Sequence, residues 1–152
     1  MHATGGEAIS REVAASGHYP PSVIQVLIDA DNVDVVRISA VLRLLPDDGV
    51  RMTVAGHPGA IESTTWPAYA EVVAAAGWQR ADMVLAAAYE PDEAPLVLIS
   101  GDGDFGLLLT RHRGPVLVVS EAASYQLRAQ GMVVDPVLDG VEPLRQWLAA
   151  VL

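Results

Sequence analysis

The sequence predicts an α/β domain of three layers, a central, mostly parallel sheet with helices on both faces. Three observations carry that expectation. Nearly continuous apolar, β-branched runs recur at 23–28, 96–100 and 116–119, as in parallel strands buried on both sides. Segments with helical periodicity or helix-ending residues separate the runs, and such alternation implies right-handed crossovers. The chain has 152 residues, 51% of them hydrophobic and 18% charged, enough to fold as one domain and too apolar for disorder.

Residues 1–21 are expected to be a flexible leader, because they mix Gly, Ser, His and Glu without periodicity and end in Tyr19-Pro20-Pro21. Residues 22–152 form the single predicted domain. Its first strand ends at Asp29. A helix follows over 33–45, with Val36, Ala40, Val41, Leu44 and Leu45 on one face, and Pro46-Asp47-Asp48-Gly49 stops it. The second strand is 50–55, and Gly56-His57-Pro58-Gly59 reads as a loop.

A helix is expected over about 66–76, with Pro67 in its first turn and Gly77 as its cap, then a very short third strand at Trp78-Gln79. The next helix, 81–89, opens on Asp82, where a carboxylate suits the helix dipole, and Pro91 ends it. The fourth strand is 96–100, followed by a helix over 105–112 with Gly114 behind it, and the fifth is 116–119. A helix near 122–130, a strand at 132–134 and a last helix from about Glu142 complete the pattern. In the strand order 3-2-1-4-5, the first and fourth strands are neighbours, and ligands bind at their carboxyl ends.

Composition narrows the chemistry. The net charge is −10 and all nine cationic side chains are Arg. With no Lys, a P-loop lysine or a Schiff base is excluded, and with no Cys so are disulfides, thiol nucleophiles and thiolate zinc sites. Cysteine-free composition accords with a cytoplasmic location. No run of eighteen apolar residues appears and 1–20 lack a signal-peptide pattern, so neither a membrane span nor export is expected. The acidity opposes broad attraction to nucleic acid, so a polyanion must be held locally, through a metal and a few Arg.

Two acidic clusters, Asp29-Ala30-Asp31-Asn32 and Gly101-Asp102-Gly103-Asp104, end the two strands that meet at the predicted switch point. Carboxylates at about 4 Å repel by about 4 kcal/mol at an effective dielectric of 20, so the cluster needs a proton or a cation. Oxygen-only donors suit Mg²⁺ or Mn²⁺. Each cluster alone also serves as turn chemistry and helix capping. Asp82 is expected to reach the same crevice from its helix N-terminus, or to be a solvated first-turn carboxylate. Asn32 is expected to orient a carboxylate or to cap the following helix. His57, Arg80, Arg111 and Arg113 are candidate substrate contacts or ordinary surface side chains. His2, His18 and His112 have no ligand spacing, no Gly-x-Ser-x-Gly elbow occurs, and Trp66, Trp78 and Trp147 read as packing residues.

Val26-Leu27-Ile28-Asp29-Ala30-Asp31-Asn32, Ala81-Asp82-Met83-Val84-Leu85 and Leu98-Ile99-Ser100-Gly101-Asp102-Gly103-Asp104-Phe105 together resemble the NYN domain family, with the last block the most specific. The resemblance runs in order from about Val23 to Asp139 and implies a PIN-like nuclease fold and a metal-dependent ribonuclease. It assigns Asp29, Asp82, Asp102 and Asp104 to the acidic Mg²⁺ or Mn²⁺ site, Asn32 to the asparagine after the first strand, and Ser100 to the serine before the second acidic pair. Ala88 stands where the family often carries another acid.

Two other functions are compatible with the residues. Asp29-x-Asp31 also resembles the nucleophile motif of haloacid-dehalogenase-like phosphatases, with Asp29 attacking phosphorus and Asp31 as acid/base. That family's phosphate-holding lysine is absent, leaving Arg51 or Arg80. A catalytically silent NYN-like module is the third, binding RNA or a regulatory protein or forming a homodimer through an apolar face; Ala88 and the acidity speak for it.

Overall fold

A computed structural model describes residues 24–75, 77 and 80–152. The expected leader, His2, His18 and the strand expected at Trp78-Gln79 lie outside these residues. The described chain runs β1 (Ile24–Asp29), α1 (Val35–Leu42), β2 (Val50–Gly56), α2 (Pro58–Glu62), β3 (Glu71–Ala74), α3 (Arg80–Ala88), β4 (Leu96–Ile99), a 3-10 turn (Gly103–Phe105), α4 (Gly106–Arg111), β5 (Val116–Val119), α5 (Tyr125–Arg128), β6 (Met132–Val134) and α6 (Glu142–Val151). The strands form one sheet of order β3-β2-β1-β4-β5-β6, and every pairing in it is parallel.

Alternation along the strands builds two cores from one sheet. Val26, Ile28, Val97 and Ile99 face a cluster with Ile38 and Val41 of α1 and Leu144 and Leu148 of α6. Leu27, Leu96 and Leu98 face the opposite cluster, with Ala81 and Leu85 of α3, Phe105, Leu109 of α4 and Leu127 of α5. Burial on both faces is why β1 and β4 read as unbroken apolar runs. No described helix is long and apolar enough to cross a membrane.

The structure corrects the sequence at three places. Where a helix was expected over 66–76, Glu71–Ala74 pair in parallel with Thr53–Gly56 as edge strand β3. The β-branched Val72 and Val73 suit a strand, and the open edge of β2 supplies hydrogen-bond partners that outweigh the Pro67 and Gly77 signals. The position of a third strand outside β2 is thus kept, but by earlier residues. The expected loop at 57–59 starts α2, with Pro58 in its first turn, where a missing N–H costs nothing. The helix expected over 122–130 is the single turn α5, capped by Ser124, whose side chain accepts from Leu127 N.

Candidate metal centre

β1 and β4 lie side by side with Ile28 paired to Ile99, so Asp29 and the Ser100-Gly101-Asp102 segment leave the sheet together at its carboxyl edge. Helix α3 packs across β2 and β1, and Asp82 in its first turn reaches the same edge. One carboxylate oxygen from each of Asp29, Asp82 and Asp102 lies within 4.8 Å of the others. Three separate elements thus deliver the three acids.

Asp29 is fully buried. Its Oδ2 accepts from the Asn32 side-chain amide and from Ser100 Oγ at 3.1 Å, while Oδ1 is buried with no hydrogen-bond partner. Among the described residues only Thr64 Oγ1 shares that condition. A buried polar atom without a partner costs about 1–3 kcal/mol, so something must favour its retention. Burial pushes the Asp29 carboxyl above its ordinary range, against the pull of Asn32 and Ser100 and with the charge of Asp31 adding to the rise.

Asp82 is pushed up to about 6, first by burial, then by the charges of Asp102 and Asp29, by a hydrogen bond with Asp102, and by Asp104. No salt bridge reaches the trio from any described Arg or His. Below about pH 6 Asp82 therefore holds a proton, which relieves part of the repulsion in the trio. The trio's donors are all hard oxygens, the set that Mg²⁺ and Mn²⁺ take, so the residues fit such an ion, and the partnerless Oδ1 supplies a donor with no competing bond.

The other expected residues divide. Asn32 and Ser100 both donate to Asp29, and Ser100 Oγ also accepts from Asp102 N at 3.1 Å, which ties the Asp102 backbone to the Asp29 carboxylate. Gly101 permits this turn, because a Cβ there would lie 2.7 Å from Ser120 Oγ and 2.9 Å from the Ala122 carbonyl oxygen. Asp104 is exposed at the rim, outside the trio; its N–H donates to Asp102 Oδ1 at 2.9 Å.

Asp31 turns from the trio to His57. Its two oxygens accept from His57 N at 2.9 Å and meet His57 Nδ1 at 2.8 Å. Register explains the pairing: Asp29 sits opposite Ala55, so residues two further along each chain meet.

Arg80 lies in the first turn of α3 on the face shared with Met83, Val84 and Ala87, away from the carboxylates. Arg111 ends α4 at the opposite, amino edge of the sheet, where its neighbour His112 bonds the Ala94 carbonyl at 2.7 Å. The structure thus does not bring Arg111 to the crevice. Trp66 packs against the core and donates to the Ile61 carbonyl at 2.9 Å, and Trp147 packs against the same core, as expected.

One charged group beside the site went unmarked by the sequence. Arg37 of α1 binds Asp135 at 2.9 Å and Asp34 at 2.6 Å, with Glu121 at 3.6 Å. The sequence shows Asp34 three residues before Arg37, but it holds no signal for the contact with Asp135, which is far away along the chain.

Fold and site together define a class: a three-layer parallel α/β domain with a carboxylate trio, unpaired with any cation among the described residues, at the carboxyl edge of its central strands. No family model matches the chain, and neither does any curated protein or solved structure.

Proposed function

We propose that the chain is a divalent-metal-dependent endoribonuclease that hydrolyses RNA phosphodiester bonds at Asp29, Asp82 and Asp102. The observation that carries this reading is the trio itself: three carboxylates from three elements, one buried with a free oxygen, and no salt bridge to them among the described residues. The NYN resemblance of the same residues supplies the substrate class and the fold family. Bound Mg²⁺ or Mn²⁺ would lower the pKa of its water and offset charge on the phosphate oxygens.

The chain's own residues do the rest. Asn32 and Ser100 hold Asp29 in one orientation. Asp82, which binds a proton up to a pH of about 6, would hold the cation together with Asp29 and Asp102 and would release that proton on doing so. Asp104 stands at the exposed rim on the substrate side, and Asp31 orients the His57 ring toward solvent. The phosphatase alternative is less well supported, because its nucleophile would be the fully buried Asp29 and its acid/base the His57-bound Asp31.

The test incubates purified protein with single-stranded RNA and, separately, with a phosphomonoester, under Mg²⁺ and Mn²⁺, beside an Asp102→Asn variant. RNA cleavage is expected, falling by more than about a hundredfold in the variant, since loss of a ligand exceeds the 10–100-fold cost of disturbing a ligand's hydrogen-bond partner. Turnover of the phosphomonoester alone would favour the phosphatase. No turnover of either would favour the binding module.

A further inference from the structure

Beside the carboxylates, the 3-10 turn, α4 and α5 enclose an open groove of about 470 Å³, lined by Asp104, Leu107, Thr110, Tyr125, Gln126 and Gln130 among others. Its two large apolar side chains are strongly exposed, Tyr125 at 83% and Leu107 at 73%. Its floor is bare backbone at Gly103, where a Cβ would lie 3.0 Å from Ser124 Oγ and 3.1 Å from Gln126 Oε1. Asp104 also lines the depression that contains Asp82 and donates its N–H to Asp102 Oδ1, so this one residue borders both the groove and the metal centre.

The lining states what would fit. No cation among the described residues borders the groove, so it offers phosphate no charged partner. An exposed phenol ring next to a leucine offers a flat face, and the Gln126 and Gln130 amides with the Thr110 hydroxyl offer neutral donors and acceptors around it. A nucleobase presents the matching features, a π-face and a polar edge, and the volume is that of a small-ligand site. We propose that this groove binds the unpaired base of a nucleotide flanking the bond cut at the carboxylates, stacked on Tyr125, so that single-stranded RNA is taken in preference to duplex.

This inference rests on the ribonuclease reading and also gives an acidic protein a means of holding RNA that does not depend on phosphate neutralisation. Binding in Mg²⁺-free buffer, where nothing is cut, is measured for a single-stranded ten-nucleotide RNA, for the same RNA as a duplex, and for an abasic ribose-phosphate strand of equal length. Wild type, Tyr125→Ala and Tyr125→Phe are compared, and cleavage in Mn²⁺ is recorded for each. Expected is tightest binding to the single strand, a loss of about tenfold in Tyr125→Ala, and retention in Tyr125→Phe.

Equal binding of the abasic strand, or an unchanged Tyr125→Ala variant that still cuts, would overturn the groove while leaving the nuclease intact. Absence of both binding and cutting in wild type would overturn both. A concentration-dependent dimer dispersed by Tyr125→Ala would assign the groove to a second copy of the chain and overturn the proposal.

Discussion

Two groups of carboxylates stand at the same edge of the sheet, and they solve one electrostatic problem in opposite ways. Asp34, Asp135 and Glu121 surround Arg37, whose guanidinium holds the Asp135 carboxyl below its ordinary range; its N–H and side chain do the same for Asp34. Asp29, Asp82 and Asp102 have no such partner among the described residues; burial pushes both Asp29 and Asp82 upward, with the charge of Asp31 adding at Asp29 and those of Asp102 and Asp29 adding at Asp82. The first group shares a guanidinium supplied by the chain. The second has no cation among the described residues, and that difference is the physical basis for proposing it as the working centre.

That contrast can be broken most sharply at Arg37. In Arg37→Met, Asp135 is left buried without its partner, and the melting temperature is expected to fall by about 10 °C. Asp29→Asn should act in the other direction. The amide keeps an oxygen to accept from Asn32 and Ser100 and turns a donor toward the remaining carboxylates, so metal-free protein is expected to gain about 1–3 kcal/mol in chemical denaturation while losing metal-dependent activity. A destabilised Asp29→Asn protein would mean that the trio is not strained when empty of metal.

The smallest effect is in the pH dependence. Asp82 has a raised folded pKa, so the native state binds its proton more tightly than the unfolded chain does. Stability from that group is present below about pH 4 and is lost as pH rises through about 6. Asp34 and Asp135 have lowered pKa values and contribute the reverse slope, present above about pH 4 and lost as pH falls. Metal-free melts from pH 4 to 7 should decline in wild type and flatten in Asp82→Asn, and Mn²⁺ should stabilise more at pH 7 than at pH 5. A wild-type curve without decline would remove the distinction between the two groups.

The centre of the fold was legible because β1, β4 and β5 are buried on both faces and carry little besides apolar residues. The edges were not. Of β3, only Val73 is even half-buried, so its hydrophobic pattern is faint, and it is defined by pairing with β2 rather than by its own residues. At the site, the meeting of Asp29 with Asp102 followed from strand order. The pairing of Asp31 with His57 and of Arg37 with Asp135 depends on register and on loop paths between distant segments, which a linear reading does not contain.

At the opposite edge, the side chain of Gln25 exchanges two hydrogen bonds with the backbone of Glu90, at 3.0 and 2.7 Å, just beyond the end of α3. Tyr89 is held as well, through His112 Nδ1 at 2.9 Å. These contacts fasten the far end of the helix to β1, and Asp82 sits at the other end, about 12 Å away along the axis. α3 is therefore held at both ends, by Gln25 beyond its last turn and by Ala81, buried in the core beside Asp82. With both ends held, the position of the Asp82 carboxylate is set by the sheet through β1 rather than by the loops around the crevice.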